Sequence, residues 1–120
     1  MKIAERLINL NINNIDAIGT SHSSGLKKVI SAGFKEAMTV KQIAEGMLMP
    51  GDVIPVHNHF DMDECYFFLE GHGYMYIDDD AIALRAGQVI NVPAGAEHRL
   101  VCTSGPLRFF YLCLELTNNN

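Results

Sequence analysis

The sequence predicts an all-β protein folded as a single domain, and three observations carry that prediction. From Val40 onward, short runs rich in Val, Ile, Leu, Tyr and Phe are interrupted by Gly, Pro and Asp, the punctuation of all-β domains. About eight such runs with regularly spaced turns favour a closed barrel or jelly roll. The chain has 120 residues, one domain of ordinary size, which buries roughly two-thirds of its unfolded surface without needing a disulfide or a metal in order to fold.

In chain order, residues 1–35 stand apart as an N-terminal arm. Residues 7–13 alternate apolar and polar side chains, as a short strand does. Residues 19–25 form a polar loop of Gly, Thr, Ser and His, residues 27–30 offer a further strand, and 34–37 are too short to assign. The barrel is expected over 36–116, with strands over 40–49, 53–57, 64–70, 73–77, 81–84, 88–92, 98–103 and 107–114. Turns fall at Pro50-Gly51, Gly71-His72-Gly73, Asp78-Asp79-Asp80, Ala86-Gly87, Pro93-Ala94-Gly95 and Ser104-Gly105-Pro106, where glycine supplies positive φ, proline a fixed φ and aspartate local capping. Residues 117–120, ending in three asparagines, read as a frayed tail.

Composition excludes several functions. Nine Lys and Arg against fourteen Asp and Glu give a net charge of −5, with no basic stripe for nucleic acid. No run approaches the ~20 apolar residues of a membrane span, and the first residues lack the apolar core of a signal peptide. Cys65, Cys102 and Cys113 are odd in number and show no CxxC spacing, which argues against a disulfide framework and for a reducing, cytoplasmic setting.

Two segments carry chemistry. In the first, His57 and His59 stand two apart on an extended chain, so both face one side at ~6–7 Å between Cα atoms. Four residues later, Glu64 opens the apolar run Glu-Cys-Tyr-Phe-Phe-Leu, where a carboxylate is out of place unless paired, ligated or at the rim. In the second, His98 opens another apolar run just past Pro93-Ala94-Gly95. Three imidazoles and a carboxylate make a mixed N/O site for Mn, Fe, Co, Ni, Cu or Zn. The His-x-His pair alone leaves metal binding open; the two glycine-framed segments together favour it. His22 and His72 read as loop residues.

The segments fit G-x5-H-x-H-x4-E-x6-G, from Gly51 to Gly71, and G-x5-P-x-G-x2-H, from Gly87 to His98. On these motifs the chain resembles the cupin superfamily, as a small single-domain member, over roughly residues 40–114. Cys102 stands where the family pattern ordinarily ends in Asn. The resemblance implies a double-stranded β-helix (jelly-roll) barrel, a divalent transition metal (Fe, Mn, Ni or Zn) on His57, His59, Glu64 and His98, and a pocket for a small molecule. It also implies a homodimer, in which the N-terminal arm could cross to the partner.

Strand alternation extends the pocket. With Glu64 inward, Tyr66 and Phe68 follow; with His98 inward, so do Leu100 and Cys102. The opposite strands add Met47 or Met49 and Phe109 or Tyr111. No catalytic residue is identified. No phosphate loop, nucleophile elbow or dinucleotide fingerprint is present. A ligand sensor would ordinarily be joined to a DNA-binding or signalling domain, for which this length leaves no room. The expected function is therefore that of a metal-dependent oxidoreductase or lyase, an oxygenase or decarboxylase acting on a small oxygenated molecule. The alternatives are a non-catalytic ligand-binding barrel and a metal-dependent isomerase or epimerase; the last would need a general base beside the ligands.

Overall fold

Residues 36–116 are dominated by long strands that bend, so that two of them serve both walls of a flattened barrel. The computed structural model describes residues 3–117; three residues of the tail expected over 117–120 lie outside that range. The strands are β1 (Ile8–Asn11), β2 (Ile18–Gly19), β3 (Leu26–Lys27), β4 (Met38–Leu48), β5 (Val53–His57), β6 (Met62–Ile77), β7 (Asp80–Leu84), β8 (Gln88–Val92) and β9 (His98–Leu116). They form a seven-stranded antiparallel sheet in the order β1-β8-β6-β9-β4, with β5 added to β9 and β7 to β6. The first part of β6 pairs with β8 and with the last part of β9, while the second part of β6 pairs with β7 and the first part of β9. This double use of β6 and β9 is the double-stranded β-helix.

Two expected turns are bends within these strands. Gly71-His72-Gly73 lies inside β6 and Ser104-Gly105-Pro106 inside β9, with Gly105–Pro106 a cis peptide bond. Across the bend β6 takes five steps, from Phe68 to Gly73, while β9 takes seven, from Phe109 to Cys102. The extra residues are bulges, which kink a strand and leave its ladder running on either side. Gly71 has φ +88, and a Cβ there would lie 2.3 Å from the Pro106 carbonyl oxygen. Glycine and proline therefore mark a close crossing of two backbones, for which a turn uses the same residues.

The N-terminal arm docks on the barrel. A short helix, α1 (Ile3–Arg6), precedes β1, and neither it nor the 3-10 turn over Ile12–Asn14 is signalled by the sequence. β1 pairs with β8 of its own chain, from Ile8↔Asn91 to Asn11↔Gln88. The strand expected over 27–30 is instead the two-residue β3, paired with β2 across the polar loop. Residues 16–37 are mostly exposed and link the docked arm to β4.

The core fills the space between the walls. Tyr66, Phe68, Met75, Ile77, Leu84, Ile90, Val92, Leu100, Cys102, Leu107 and Phe109 belong to one buried cluster.

Candidate metal centre and its cavity

Three strand ends bring the centre together. His57 ends β5 and pairs with His98, the first residue of β9, and their rings lie 4.1 Å apart. Glu64 sits near the start of β6 with Val92 and Cys113 across from it. The two motif segments also clip to each other, because Gly95 N–H donates to the His59 carbonyl at 2.8 Å.

His57, Glu64 and His98 each offer a ligand atom, all within 4.8 Å of one another. Glu64 Oε1 is the focus: the Nε2 atoms of His98, His57 and His59 lie 2.8, 3.7 and 3.8 Å from it. Atoms bound to one ion at about 2.0–2.2 Å stand roughly 3–4 Å apart, so the set fits a small divalent cation. His59 stands edge-on to His57, at 5.4 Å between ring centres, with its Nε2 at a distance from Glu64 Oε1 similar to that of His57 Nε2.

The second nitrogens of two rings are already committed. His57 Nδ1 faces the Pro55 carbonyl at 2.9 Å, and His98 Nδ1 faces the Ala96 carbonyl at 3.1 Å. With Nδ1–H donating to the backbone, Nε2 carries the lone pair toward Glu64. A lone pair facing a carboxylate oxygen at 2.8 Å requires a proton or a metal ion. The donor set fits either, and the carbonyls at Pro55 and Ala96 select the tautomer that ligates.

Neighbours hold Glu64 in place. The buried Tyr66 hydroxyl donates to Oε1 at 3.1 Å, and the Cys113 Sγ lies 3.9 Å from Oε2. Burial pushes the Glu64 carboxyl up, but the His98 hydrogen bond and the charges of His98 and His59 outweigh it, leaving the group below its usual value. Burial, with the Glu64 charge beside it, pushes the Tyr66 phenol far above its usual value, so it acts as a donor throughout the physiological range.

One residue earlier, Asp63 points to the opposite face of β6, as strand alternation requires. Its carboxylate, 0% exposed, accepts from Arg6 Nε at 2.9 Å, Arg6 Nη2 at 3.2 Å, Asn91 Nδ2 at 3.1 Å and Ala94 N–H at 2.7 Å. Asn91 Nδ2 also donates to the Arg6 carbonyl at 2.7 Å. This cluster fastens α1 to the back of the strand that carries Glu64. Neither residue spacing nor the motif segments give Asp63, Arg6 or Asn91 a part. The available signal was polar residues inside the apolar runs at 63–69 and 89–93.

A cavity of about 270 Å³ opens on the centre, lined by Gly46, Met47, Leu48, Ile54, His57, Glu64, Tyr66, Phe109 and Tyr111. The expected lining residues Tyr66 and Met47 are there. Phe68, Leu100 and Cys102 share the inward face but lie in the closed core, each 3% exposed or less, and do not line the cavity. Both alternatives on β9, Phe109 and Tyr111, line it, whereas Met49 does not. Gly46 makes room: a Cβ there would lie 2.6 Å from the Phe109 ring. His59 borders a separate groove of about 410 Å³ with Lys41, Gln42, Asp61, Met62 and Cys113. His72 is an exposed residue at the β6 bend. Of the arginines outside the arm, Arg108 pairs with Glu45 and Glu70, and Arg99 lies over the Tyr76 ring.

The cupin-domain family model matches residues 44–114. The chain belongs to the cupin family. Among solved structures, a predicted oxalate decarboxylase from Thermotoga maritima superposes with a TM-score of 0.61 at 20% identity, over 88% of this chain and 96% of the other. Salicylate 1,2-dioxygenase from Pseudoaminobacter salicylatoxidans, in a structure with gentisate, matches with a TM-score of 0.54 at 18% identity, over 59% of this chain and 19% of the other. At these identities the likeness establishes the fold. An uncharacterized protein of Methanocaldococcus jannaschii is 32% identical over 62 residues, 51% of this chain and 50% of that one, so the match spans half the length of that curated relative. Among the described residues, no helix is long and apolar enough to cross a membrane.

Proposed function

We propose that the chain is a metal-dependent enzyme of the oxygenase or decarboxylase type that acts on a small oxygenated molecule. The observation that carries this reading is the convergence of imidazole Nε2 atoms on Glu64 Oε1, with the Nδ1 atoms of His57 and His98 held by backbone carbonyls. His57, His59, Glu64 and His98 would hold the ion, which supplies Lewis acidity and, as Fe or Mn, one-electron chemistry. Tyr66 fixes the carboxylate oxygen that faces the ion. Phe109, Ile54 and Leu48 exclude water from one side of the cavity and position the substrate. Among the described residues, no cavity-lining side chain beyond the candidate ligands and the two phenols can accept or deliver a proton, which favours chemistry without a protein general base over isomerisation.

The test is elemental analysis of protein purified without an affinity tag or chelator, alongside single alanine variants. Near-stoichiometric Fe, Mn, Ni or Zn in the parent, lost in His57→Ala and His98→Ala and retained in His72→Ala, is the expected outcome. Equal metal content in all four proteins would remove the assignment. Oxygen uptake by the Fe(II)-loaded protein then separates the oxidative from the decarboxylating reading.

The proposal extends to a homodimer in a reducing, cytoplasmic setting, consistent with three free thiols. Phe110, Leu112 and Leu114 of β9 point away from the core and remain partly exposed beside the partly exposed Phe67 and the exposed Ile43, an apolar face of the kind that marks association. Exchange of the arm would make the β1–β8 ladder between copies, across the exposed linker. Sedimentation of the full chain and of a chain starting at residue 36 tests both points; a stable dimer of the shortened chain would count against exchange.

A further inference from the structure

The cavity wall is chemically one-sided. Tyr66 and Tyr111 stack at 5.6 Å and 27°, and Phe109 packs against both at 5.7 and 6.0 Å. Leu48, Ile54 and Met47 complete the lining, and among the described residues its only ionisable groups besides the two phenols are the candidate ligands His57 and Glu64. Among the described residues, no lysine or arginine lines the cavity. Arg108 is held by Glu45 and Glu70, Arg6 by Asp63, and Lys41, which borders the neighbouring groove, by Glu115 at 3.0 Å. A second carboxylate on a ligand whose first group reached the ion would meet aromatic and aliphatic carbon. Placing an unpaired charge against that wall is unfavourable, because nothing on it supplies a counter-charge.

Size and shape narrow the choice. An apolar cavity of about 150 Å³ accommodates benzene, so about 270 Å³ admits one substituted ring. The flat Tyr66–Tyr111 stack offers that ring an offset or edge-on partner. The Tyr111 hydroxyl has no hydrogen-bond partner among the described residues and is the one uncommitted polar group on the wall.

Resting on the metal-centre reading above, we propose that the cavity selects a small molecule with a chelating oxygen pair at one end and a single uncharged aromatic ring at the other, and discriminates against dicarboxylates. Tyr111 is the specificity-determining residue. Its ring forms the wall, and its hydroxyl serves one polar substituent on the ligand.

Hydroxamates separate the metal-binding head from the body. Acetohydroxamate, benzohydroxamate and 4-carboxybenzohydroxamate are titrated calorimetrically into the Zn(II)-loaded full chain, with zinc content measured in parallel. Benzohydroxamate is expected to bind roughly tenfold tighter than acetohydroxamate or better, from buried ring surface. The 4-carboxy compound is expected to fall back by about tenfold or more. Ile54→Trp, which fills the cavity, and Tyr111→Ala, which removes the wall, should each reduce the preference for the ring to under about threefold while zinc content holds. Equal affinities for the three compounds, or a preference for the carboxylated one, at full zinc occupancy would overturn the substrate class and leave the metal centre standing. A protein that takes up no zinc would overturn the metal-centre reading and this inference with it.

Discussion

Arg6→Met tests whether the arm is part of the barrel's architecture. The substitution removes two of the four donors on the Asp63 carboxylate, Nε at 2.9 Å and Nη2 at 3.2 Å, and leaves Asn91 Nδ2 and Ala94 N–H. Asp63 is 0% exposed, so water cannot replace what is lost. Breaking a buried ion pair from one side costs roughly 3–5 kcal/mol, because the surviving charge stays buried and unbalanced. Methionine preserves much of the aliphatic bulk, which confines the loss to the charge and its hydrogen bonds. Against a total stability of about 5–15 kcal/mol, this is a large fraction, and near this chain length it lowers Tm by roughly 10–20 °C. Urea unfolding followed by circular dichroism gives the free energy directly. The double variant Arg6→Met/Asp63→Leu, which removes both charges, should recover most of the loss. A single-variant cost below about 1 kcal/mol, the value of a solvated pair, would refute the claim that arm and barrel are joined by a buried charge.

Other expectations follow from the same contacts. Tyr66→Phe deletes only the hydroxyl that holds Glu64 Oε1 and should weaken metal binding about 10–100-fold, measured by chelator competition, with the fold intact; unchanged affinity would mean that the phenol does not position the ligand. Burial, with Asp63 nearby, pushes the Cys65 thiol up to about 11, and burial also raises Cys113. Because the raised value disfavours the Cys65 thiolate until strongly alkaline pH, Cys65 should react slowly with a disulfide reagent at pH 7.5 in the native protein and faster on unfolding. Rapid native labelling of Cys65 would contradict its raised pKa.

The sequence exposed the parts of the fold that are local and periodic. Strand positions follow from residue type and alternation, so β5 and β8 fall on the expected residues, and a fixed spacing puts the candidate ligands His57 and Glu64 near successive strand ends. Alternation gives the face of a side chain but not its depth. Phe68 lies four residues beyond Glu64, about 13 Å further along the strand, where the walls have closed; Tyr66, at half that distance, still reaches the cavity. The same limit applies to Leu100, two residues past His98 and fully buried. Gly71 and Pro106 announce a departure from regular strand geometry, and only the facing backbone decides between a turn and a bulge.

What local patterns miss most is the arm. Arg6 and Asp63 are separated by 57 residues, and nothing in either neighbourhood specifies the other. Yet their position gives the contact a consequence beyond stability. Asp63 and Glu64 are consecutive residues on opposite faces of β6, one bound by four donors at the back and the other turned toward three imidazoles at the front. A strand held at Asp63 cannot shift by one residue without exchanging the two carboxylates between faces, placing Glu64 against Arg6 and withdrawing a candidate ligand from the centre. The Arg6–Asp63–Asn91 cluster therefore fixes the register that the candidate site depends on, and the arm contributes to that site without touching it.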